Sequence, residues 1–334
     1  MTPPLYPLLL EPYLSPRLWG GQRLHGFLGL DHPVNPNSDP IGEAWQVYSE
    51  NCIRNGAWAG QRLADLAQAQ PTDLLGTVSL ARYGAKVPLL AKFIDAAAPL
   101  SIQVHPDDSY AKRVEAASGH LGKTEAWYIL EAAPDAHIIW GFKDQLSPAQ
   151  LREAIAGGSL EQHVNIVPVQ AGDVIYNPAG TLHAIGAGIL LFEIQQSSDL
   201  TYRLYDYQRR DSQGRLRELH VDKALDVLNF TPSQSAKCLA QPLSATANLR
   251  KTLLLHCEAF VMEHWQLQGE VQEATDSSSL RILTVCAGHG QLQQEGQPPL
   301  SLQQGSSVLL PAALGAYQLR GALELVCCYV PEPR

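Results

Sequence analysis

Long apolar runs are missing from the sequence. No segment reaches the roughly 18 to 20 uninterrupted apolar residues of a membrane-spanning helix. The apolar stretch within residues 1–16 is broken by prolines and is not preceded by a basic segment, so we interpret it as mature protein and not as a signal peptide. We therefore expect a cytoplasmic protein that has no membrane partner.

Basic runs are missing as well. The 334 residues include 24 Lys and Arg against 33 Asp and Glu, which gives a net charge of −9 at pH 7. A nucleic-acid-binding protein needs a basic surface against the phosphate backbone. The sequence therefore predicts that nucleic acid is not a partner.

Cysteines are few, and none forms a Cys-x-x-Cys pair. This spacing argues against a thiolate zinc site and predicts free thiols in a reducing compartment. The six cysteines are Cys52, Cys238, Cys257, Cys286, Cys327 and Cys328.

Turn residues separate short apolar stretches along most of the chain, which is typical of a mainly β protein. The clearest helix begins after Ser147, a good N-cap followed by proline, and ends at Gly157. Weaker helical patterns cover residues 61–70, 110–117 and 220–230, and little helix is expected after 235.

One short segment is repeated in the chain. Residues 170–178 (QAGDVIYNP) resemble residues 304–311 (QGSSVLLP), because each has a turn glycine, an apolar strand and a proline six residues after that glycine. Five residues after the proline, the first copy has His183 and the second has Ala316. The repeat suggests two copies of one small β-barrel unit, of which only the first keeps a metal ligand.

Polar residues occur in strand-like stretches at positions that alternation assigns to one face. Strand side chains alternate with period two, so Ser101, Gln103 and His105 share a face and Ile102 and Val104 share the other. The apolar pair suits a core, whereas the polar three suit a face that lines a cavity.

Two later segments fit the same cavity. Lys123, Glu125 and Trp127 share one face of a second strand, and His183 directly follows a turn. Our hypothesis is that four side chains converge on one metal ion: Gln103, His105, Glu125 and His183.

The ligand types suit a divalent metal such as Zn, Fe, Mn or Co. Two roles are open for the neutral amide of Gln103, either direct ligation or a hydrogen bond to a metal-bound water. A simpler interpretation competes, since any one of the eleven histidines is more often a surface or packing residue. Glu125 alone fits an ion pair with Lys123 equally well.

Glu193 and Arg203 follow in the next two strand-like stretches. A guanidinium near a metal suits an anionic substrate, because it donates two parallel hydrogen bonds to phosphate or carboxylate. The alternative is a structural ion pair of Arg203 with Asp206 or Glu193.

Four segments together resemble the type I mannose-6-phosphate isomerase family in its shorter bacterial form. They are SIQVHPDD (101–108), GKTEAWYIL (122–130), PAGTLHAIGAG (178–188) and LFEIQQSSDLTYRLYDYQR (191–209). The resemblance runs from Trp19 to about residue 230 and is looser after 240, and the order and spacing of the segments make it specific.

The resemblance implies a mainly β fold of cupin (jelly-roll) barrels in two units, with a small appended helical segment. It implies a catalytic cupin domain at 1–235, including a helical insertion at about 144–163, and a degenerate cupin-like β domain without metal ligands at 240–334. It also implies one zinc ion per chain. The implied ligands are Gln103, His105, Glu125 and His183, and the implied cleft residues are Ser101, Lys123, Glu193 and Arg203.

The family reaction interconverts D-mannose 6-phosphate and D-fructose 6-phosphate through a cis-enediol. By resemblance, Arg203, Lys123 and Glu193 are catalytic, and Ser101, Lys123 and Arg203 contact the substrate. The two cations are expected to hold the phosphate or the enediolate, and the general base is open between Glu193 and a metal-bound water. The expected partner is a small-molecule sugar phosphate, and the chain is expected to be a monomer or a homodimer.

Two other functions remain open. A different cupin enzyme, such as an iron-dependent dioxygenase, would require oxygen and would leave Lys123, Glu193 and Arg203 without an evident role. A non-catalytic sugar-phosphate sensor would bind its ligand without turnover, although all the matched positions are intact in this chain.

Overall fold

The computed structural model describes residues 3–30, 40–210, 213–232 and 236–333, and they form a mainly β structure, as predicted. The predicted end of the first unit, at 235, and the first two residues of the N-terminal segment lie outside the described residues. Among the described helices, none is both long enough and apolar enough to cross a membrane.

The strands of the described residues follow one another in chain order. They are β1 (Leu8–Leu9), β2 (Tyr13–Pro16), β3 (Ile41–Val47), β4 (Leu89–Ala96), β5 (Ile102–Val104), β6 (Glu125–Ala132), β7 (His137–Phe142), β8 (Val164–Pro168), β9 (Val174–Asn177), β10 (His183–Ile185), β11 (Ile189–Gln196), β12 (Tyr202–Tyr205), β13 (Gln241–Ala245), β14 (Leu249–His256), β15 (Val261–Ala274), β16 (Arg281–Gln293), β17 (Leu300–Gln303), β18 (Ser307–Leu310) and β19 (Ala316–Tyr329).

The α-helices of the same ranges are short. They are α1 (Arg23–Phe27), α2 (Leu63–Ala69), α3 (Pro71–Leu75), α4 (Thr77–Tyr83), α5 (Asp108–Val114), α6 (Pro148–Ala156) and α7 (Val221–Val227).

Most predicted helices are present, within a few residues of their expected bounds. Ser147 caps α6, accepts from the backbone N–H of Gln150 and forms a reciprocal capping box with it. The patterns at 61–70, 110–117 and 220–230 correspond to α2, α5 and α7. Helices α1, α3 and α4, of five to seven residues, were not predicted.

Two antiparallel sheets carry the stretches that were singled out in the sequence. One has the order β2-β3-β4-β11-β6-β9 and the other has the order β12-β5-β10-β7-β8. Their apolar side chains share one buried cluster, which includes Trp127 and Leu191 from the first sheet and Ile138 and Ile185 from the second. The polar residues that share these inward faces are therefore also enclosed between the two sheets.

Alternation gives each of these sheets a second apolar face. Phe93 and Phe192 pack outward against α1 and the C-terminal strands. Ile102 and Val104 pack on the opposite side in a cluster that includes Leu151 of α6. This confirms that Ile102 and Val104 face a core while their neighbours face the other way.

The C-terminal strands form an eight-stranded sheet with an unexpected member. Its order is β1-β18-β16-β19-β15-β14-β13, and β17 also pairs with β16. Strand β1 pairs Leu8 with Leu309, so the N-terminal strand belongs to the C-terminal sheet. The sequence did not indicate this pairing, because its partners lie about 300 residues apart.

The repeated segment has similar local structure in both copies. Gly172 and Gly305 adopt positive φ angles of 90° and 83°, and β9 and β18 follow them. Strands β10 and β19 then begin at His183 and Ala316, the two residues that the repeat aligns. The duplication itself stays a prediction.

Two glycines after Trp19 allow the chain to pass close to β4. A Cβ atom at Gly21 would lie 2.2 Å from Oδ2 of Asp95. This carboxylate is fully buried and accepts hydrogen bonds from the backbone N–H of Arg23 (2.7 Å) and from its Nε (2.8 Å). The glycine therefore makes room for the ion pair that joins α1 to β4.

We expect Gly21→Ala to lower the free energy of unfolding by about 1–3 kcal/mol, because the added methyl group displaces the buried carboxylate of Asp95. Gly26→Ala is the matched control, since its Cβ would meet nothing within 4 Å and helix propensity favours alanine. Urea denaturation of both variants measures the difference. Equal midpoints for the two variants would show that the close approach carries no energetic cost.

Candidate active site

Strand register brings the predicted residues onto two facing rows. In the five-stranded sheet, His183 pairs with Gln103, which in turn pairs with Arg203. In the six-stranded sheet, Gln195 pairs with Glu125. Glu193 lies two residues before Gln195, on the same face of β11. The rows enclose a cleft of about 300 Å³, a volume typical of small-molecule sites.

Seven of the eight predicted site residues line this cleft, and His105 lies buried beside it. The seven are Ser101, Gln103, Lys123, Glu125, His183, Glu193 and Arg203.

Three predicted ligands meet at one end of the cleft. The candidate ligand atoms of His105, Glu125 and His183 all lie within 4.8 Å of one another, and all three side chains are buried. Glu125 stands between the rings, with Oε2 at 3.4 Å from Nε2 of His105 and Oε1 at 3.2 Å from Nε2 of His183.

Backbone carbonyls fix how the two imidazoles are oriented. Nδ1 of His105 lies 2.8 Å from the carbonyl oxygen of Leu200, and Nδ1 of His183 lies 2.9 Å from that of Thr181. Each Nδ1–H therefore donates outward, and each Nε2 presents its lone pair to Glu125.

Both rings are held neutral. Burial, together with the charge of Lys123, lowers the pKa of His105 to about 3. Burial also lowers the pKa of His183, although Glu125 opposes the shift. Neutral imidazoles with inward lone pairs are the form that binds a metal.

The donor set fits a divalent metal. Oε1 of Glu125 is buried and has no hydrogen-bond donor among the described residues. Nε2 of His183 faces this oxygen and is also an acceptor. A cation bound between the oxygen and Nε2 is the group that satisfies both atoms. Burial alone would raise the pKa of Glu125, but the charge of Lys123 lowers it well below its usual range.

Lys123 satisfies the other side of the same carboxylate. Its Nζ lies 2.5 Å from Oε2 of Glu125 and 2.9 Å from Nε2 of His105. The ion pair that was the simpler interpretation of Glu125 is thus present, and it still leaves Oε1 without a donor.

Gln103 borders the cluster. Its Nε2 is 3.5 Å from Nε2 of His183, and its Oε1 accepts a hydrogen bond from Ser101 Oγ at 3.3 Å. Both roles predicted for this amide therefore stay open.

Glu193 is buried in the opposite wall among donors. Trp127 Nε1 donates to its Oε2 at 2.9 Å, and Lys92 Nζ lies 3.0 Å from its Oε1. Burial and the nearby charge of Glu125 raise the pKa of Glu193, whereas Lys92 and Lys123 oppose the rise. The carboxylate therefore takes up a proton more readily than an exposed glutamate does.

Five charged residues that line the cleft were missed in the sequence: Arg17, Glu43, Lys92, Asp199 and Arg217. Lys92 and Arg17 both contact Glu43, and they lower its pKa to about 2 against the effect of burial. A lysine inside the apolar run 87–94 was the available signal, because a charge in a buried strand requires a partner.

Arg203 is not held by the carboxylates proposed as its structural partners. Its Nε donates to Ser101 Oγ at 3.2 Å and its Nη1 to the backbone oxygen of Glu218 at 2.9 Å. Asp206 instead pairs with Arg209 and Arg217. The Arg203 guanidinium, which lines the cleft, is thus oriented by neutral groups.

Comparisons with known proteins agree with this site. Residues 8–126 match the family described as "Phosphomannose isomerase type I, catalytic domain", and residues 250–330 match "Mannose-6-phosphate isomerase, cupin domain". The mannose-6-phosphate isomerase of Streptococcus mutans is 36% identical over 98% of this chain and 99% of its own length. Mannose-6-phosphate isomerase ManA of Bacillus subtilis is 36% identical over 97% of this chain and 99% of its own.

A solved structure extends the likeness to three dimensions. The crystal structure of the mannose 6-phosphate isomerase from Bacillus subtilis superposes with a TM-score of 0.86, at 33% identity, over 96% of this chain and 99% of that one. Both the cupin fold and the full length are shared. The chain therefore belongs to the type I mannose-6-phosphate isomerase family.

Proposed function

We propose that this protein interconverts D-mannose 6-phosphate and D-fructose 6-phosphate, using one zinc ion held by His105, Glu125 and His183. The observation that carries the proposal is the buried Glu125 oxygen that faces a neutral imidazole with no donor between them. The names of the full-length relatives supply the substrate pair.

The dimensions of the cleft support a phosphorylated hexose in its open-chain form. His183, Gln103 and Arg203 lie on three adjacent strands at matched positions, which separates the outer two by roughly 10 Å. A six-carbon chain has its reacting carbons at one end and its 6-phosphate at the other. We place C1 and C2 beside the histidines and the phosphate beside Arg203.

The reaction is an internal oxidation and reduction. A base takes the proton from C2 of the open-chain aldose, the C2–H electron pair becomes a C1=C2 double bond, and O1 takes up a proton. The resulting cis-enediol then gains a proton at C1 while O2 loses its proton and becomes the ketone oxygen. Carbon 1 is thereby reduced and carbon 2 oxidised, so no external oxidant or reductant is consumed.

Lys123 and the metal ligands would act at the same end. A divalent metal bound there supplies positive charge that stabilises negative charge on the substrate oxygens. The contacts of Lys123 with Glu125 and His105 support a role near the enediolate and not at the phosphate. Ser101, which donates to Gln103 and accepts from Arg203, would orient both neighbours.

Glu193 is our candidate for the base. It lies in the cleft wall opposite the row of His183 and Gln103, and burial raises its pKa. A general base works best when its pKa approaches the working pH. The rival hypothesis assigns the proton transfer to a water molecule in the cleft.

Three further assignments are proposals of the same kind. We propose the first unit as the catalytic domain and the second, over 240–334, as a degenerate unit, because all the cleft residues lie before residue 235. Free thiols at all six cysteines support a reducing compartment such as the cytoplasm. The chain is proposed to act as a monomer or a homodimer.

Metal removal tests the central proposal. We expect chelation to abolish conversion of mannose 6-phosphate in a coupled assay, and added zinc to restore it, because the cluster would lose its only multivalent cation. His183→Ala should reduce bound metal, measured by mass spectrometry, whereas the exposed His289→Ala should retain it.

Two outcomes contradict this proposal. Full turnover by metal-free protein would exclude the metal, and metal-loaded protein without turnover would favour the sensor.

Glu193→Gln tests the base. We expect kcat to fall by about 10²–10⁴-fold, since the amide cannot accept the proton. Metal content should be unchanged, because Glu193 is not among the proposed ligands. Exposed Glu131→Gln is the control for the loss of one carboxylate. Near-normal kcat in Glu193→Gln would eliminate Glu193 and leave the water as the base.

A further inference from the structure

We infer that Arg217 is a second guanidinium of the phosphate end of the cleft, where it selects phosphorylated over free sugars, and that Asp206 holds it in position. The inference rests on the proposed function, because it assigns the 6-phosphate to this end. It adds a residue outside all four segments that resembled the family.

Arg217 lines the cleft together with Arg203 and Arg17, and the carboxylate of Asp199 belongs to the same lining. It is near enough to Arg203 that its charge, together with burial, lowers the pKa of Arg203. Like charges at short range repel, so an anion between them is stabilised by both.

Asp206 positions one edge of the Arg217 guanidinium. Nε of Arg217 donates to Oδ2 at 2.7 Å and Nη2 donates to Oδ1 at 2.6 Å, while the carboxylate itself is buried. The Nη1 edge has no hydrogen-bond partner within the described ranges, so it is free to donate to a ligand. Asp206 also binds Arg209, so one negative charge serves two guanidiniums and a net positive charge remains.

The backbone around Arg217 is tied to β12. Arg203 Nη1 donates to the carbonyl oxygen of Glu218 at 2.9 Å, and the backbone N–H of His220 donates to the carbonyl oxygen of Arg203 at 2.7 Å. These bonds keep the segment that carries Arg217 beside Arg203 before any ligand arrives. A preformed pair of guanidiniums loses little side-chain entropy on binding phosphate.

The cations at the other end of the cleft are already compensated. Lys123 lies 2.5 Å from Glu125 and Lys92 lies 3.0 Å from Glu193. At the arginine end, Arg203 has neutral partners and Asp206 is shared by Arg209 and Arg217, so positive charge remains there for a dianionic phosphate. A free hexose has no anionic group that could bind to this positive charge. The arginines therefore select phosphorylated over free sugars.

Arg217→Gln is the test. We expect KM for mannose 6-phosphate to rise about 10- to 100-fold with kcat nearly unchanged, because a ground-state contact to the phosphate is lost. The kcat/KM for free mannose should stay constant. Arg215→Gln is the matched control, since this exposed arginine lies in the same segment but outside the cleft lining.

Two more variants separate charge from geometry. Arg217→Lys keeps the charge but not the paired donors, so its KM should lie between that of the unaltered protein and that of Arg217→Gln. It replaces Arg217→Gln if that variant does not fold. Asp206→Asn should raise KM although Arg217 is intact, because the guanidinium loses its anchor.

Inorganic phosphate gives a readout that does not depend on turnover. Its affinity, measured by titration calorimetry, should fall in Arg217→Gln and not in Arg215→Gln. An unchanged phosphate affinity and an unchanged KM would overturn the inference while leaving the isomerase proposal intact. If the protein fails to convert mannose 6-phosphate at all, the proposed function fails, and the phosphate titration still decides whether Arg217 binds an anion.

Discussion

A carboxylate enclosed between two sheets is the constraint on which this site depends. Alternation along β6 places Glu125 on the same inward face as Trp127, and water does not reach it. An isolated ion there would cost several kcal/mol, so Lys123 offsets its charge and two neutral imidazoles lie where they can bind a cation beside it. Lys123 and His105 lie beside Oε2 of Glu125 and His183 faces Oε1, and backbone carbonyls orient both imidazoles.

The same requirement explains how charge is distributed along the cleft. In the six-stranded sheet, basic and acidic side chains alternate in space, so that Lys92 stands between Glu43 and Glu193. In the five-stranded sheet the row ends at Arg203, whose partners are a hydroxyl and a carbonyl. Charges are therefore compensated at one end of the cleft, and positive charge is uncompensated at the other. This polarity matches a substrate with one neutral and one anionic end.

The sequence was informative wherever a local rule applied. Period-two alternation predicted the faces of Gln103 and Glu125, and a capping residue predicted where α6 begins. The conjunction of His105, Glu125 and His183 followed from motif resemblance together with alternation. What the sequence did not reveal are pairings set by register between distant strands, such as Lys92 with Glu193, about 100 residues apart. No local pattern encodes such a register, because it depends on how the complete sheets assemble.

The pairing of β1 with β18 has a consequence for how the chain is made. Leu8 and Leu9 are synthesised about 300 residues before their partners, Leu309 and Val308. This pairing can therefore form only after residues 308 and 309 have been translated, and closing so long a loop is entropically costly and slow. Until β1 pairs with β18, the apolar side chain of Leu8, fully buried in the finished fold, is open to chaperones and to other nascent chains.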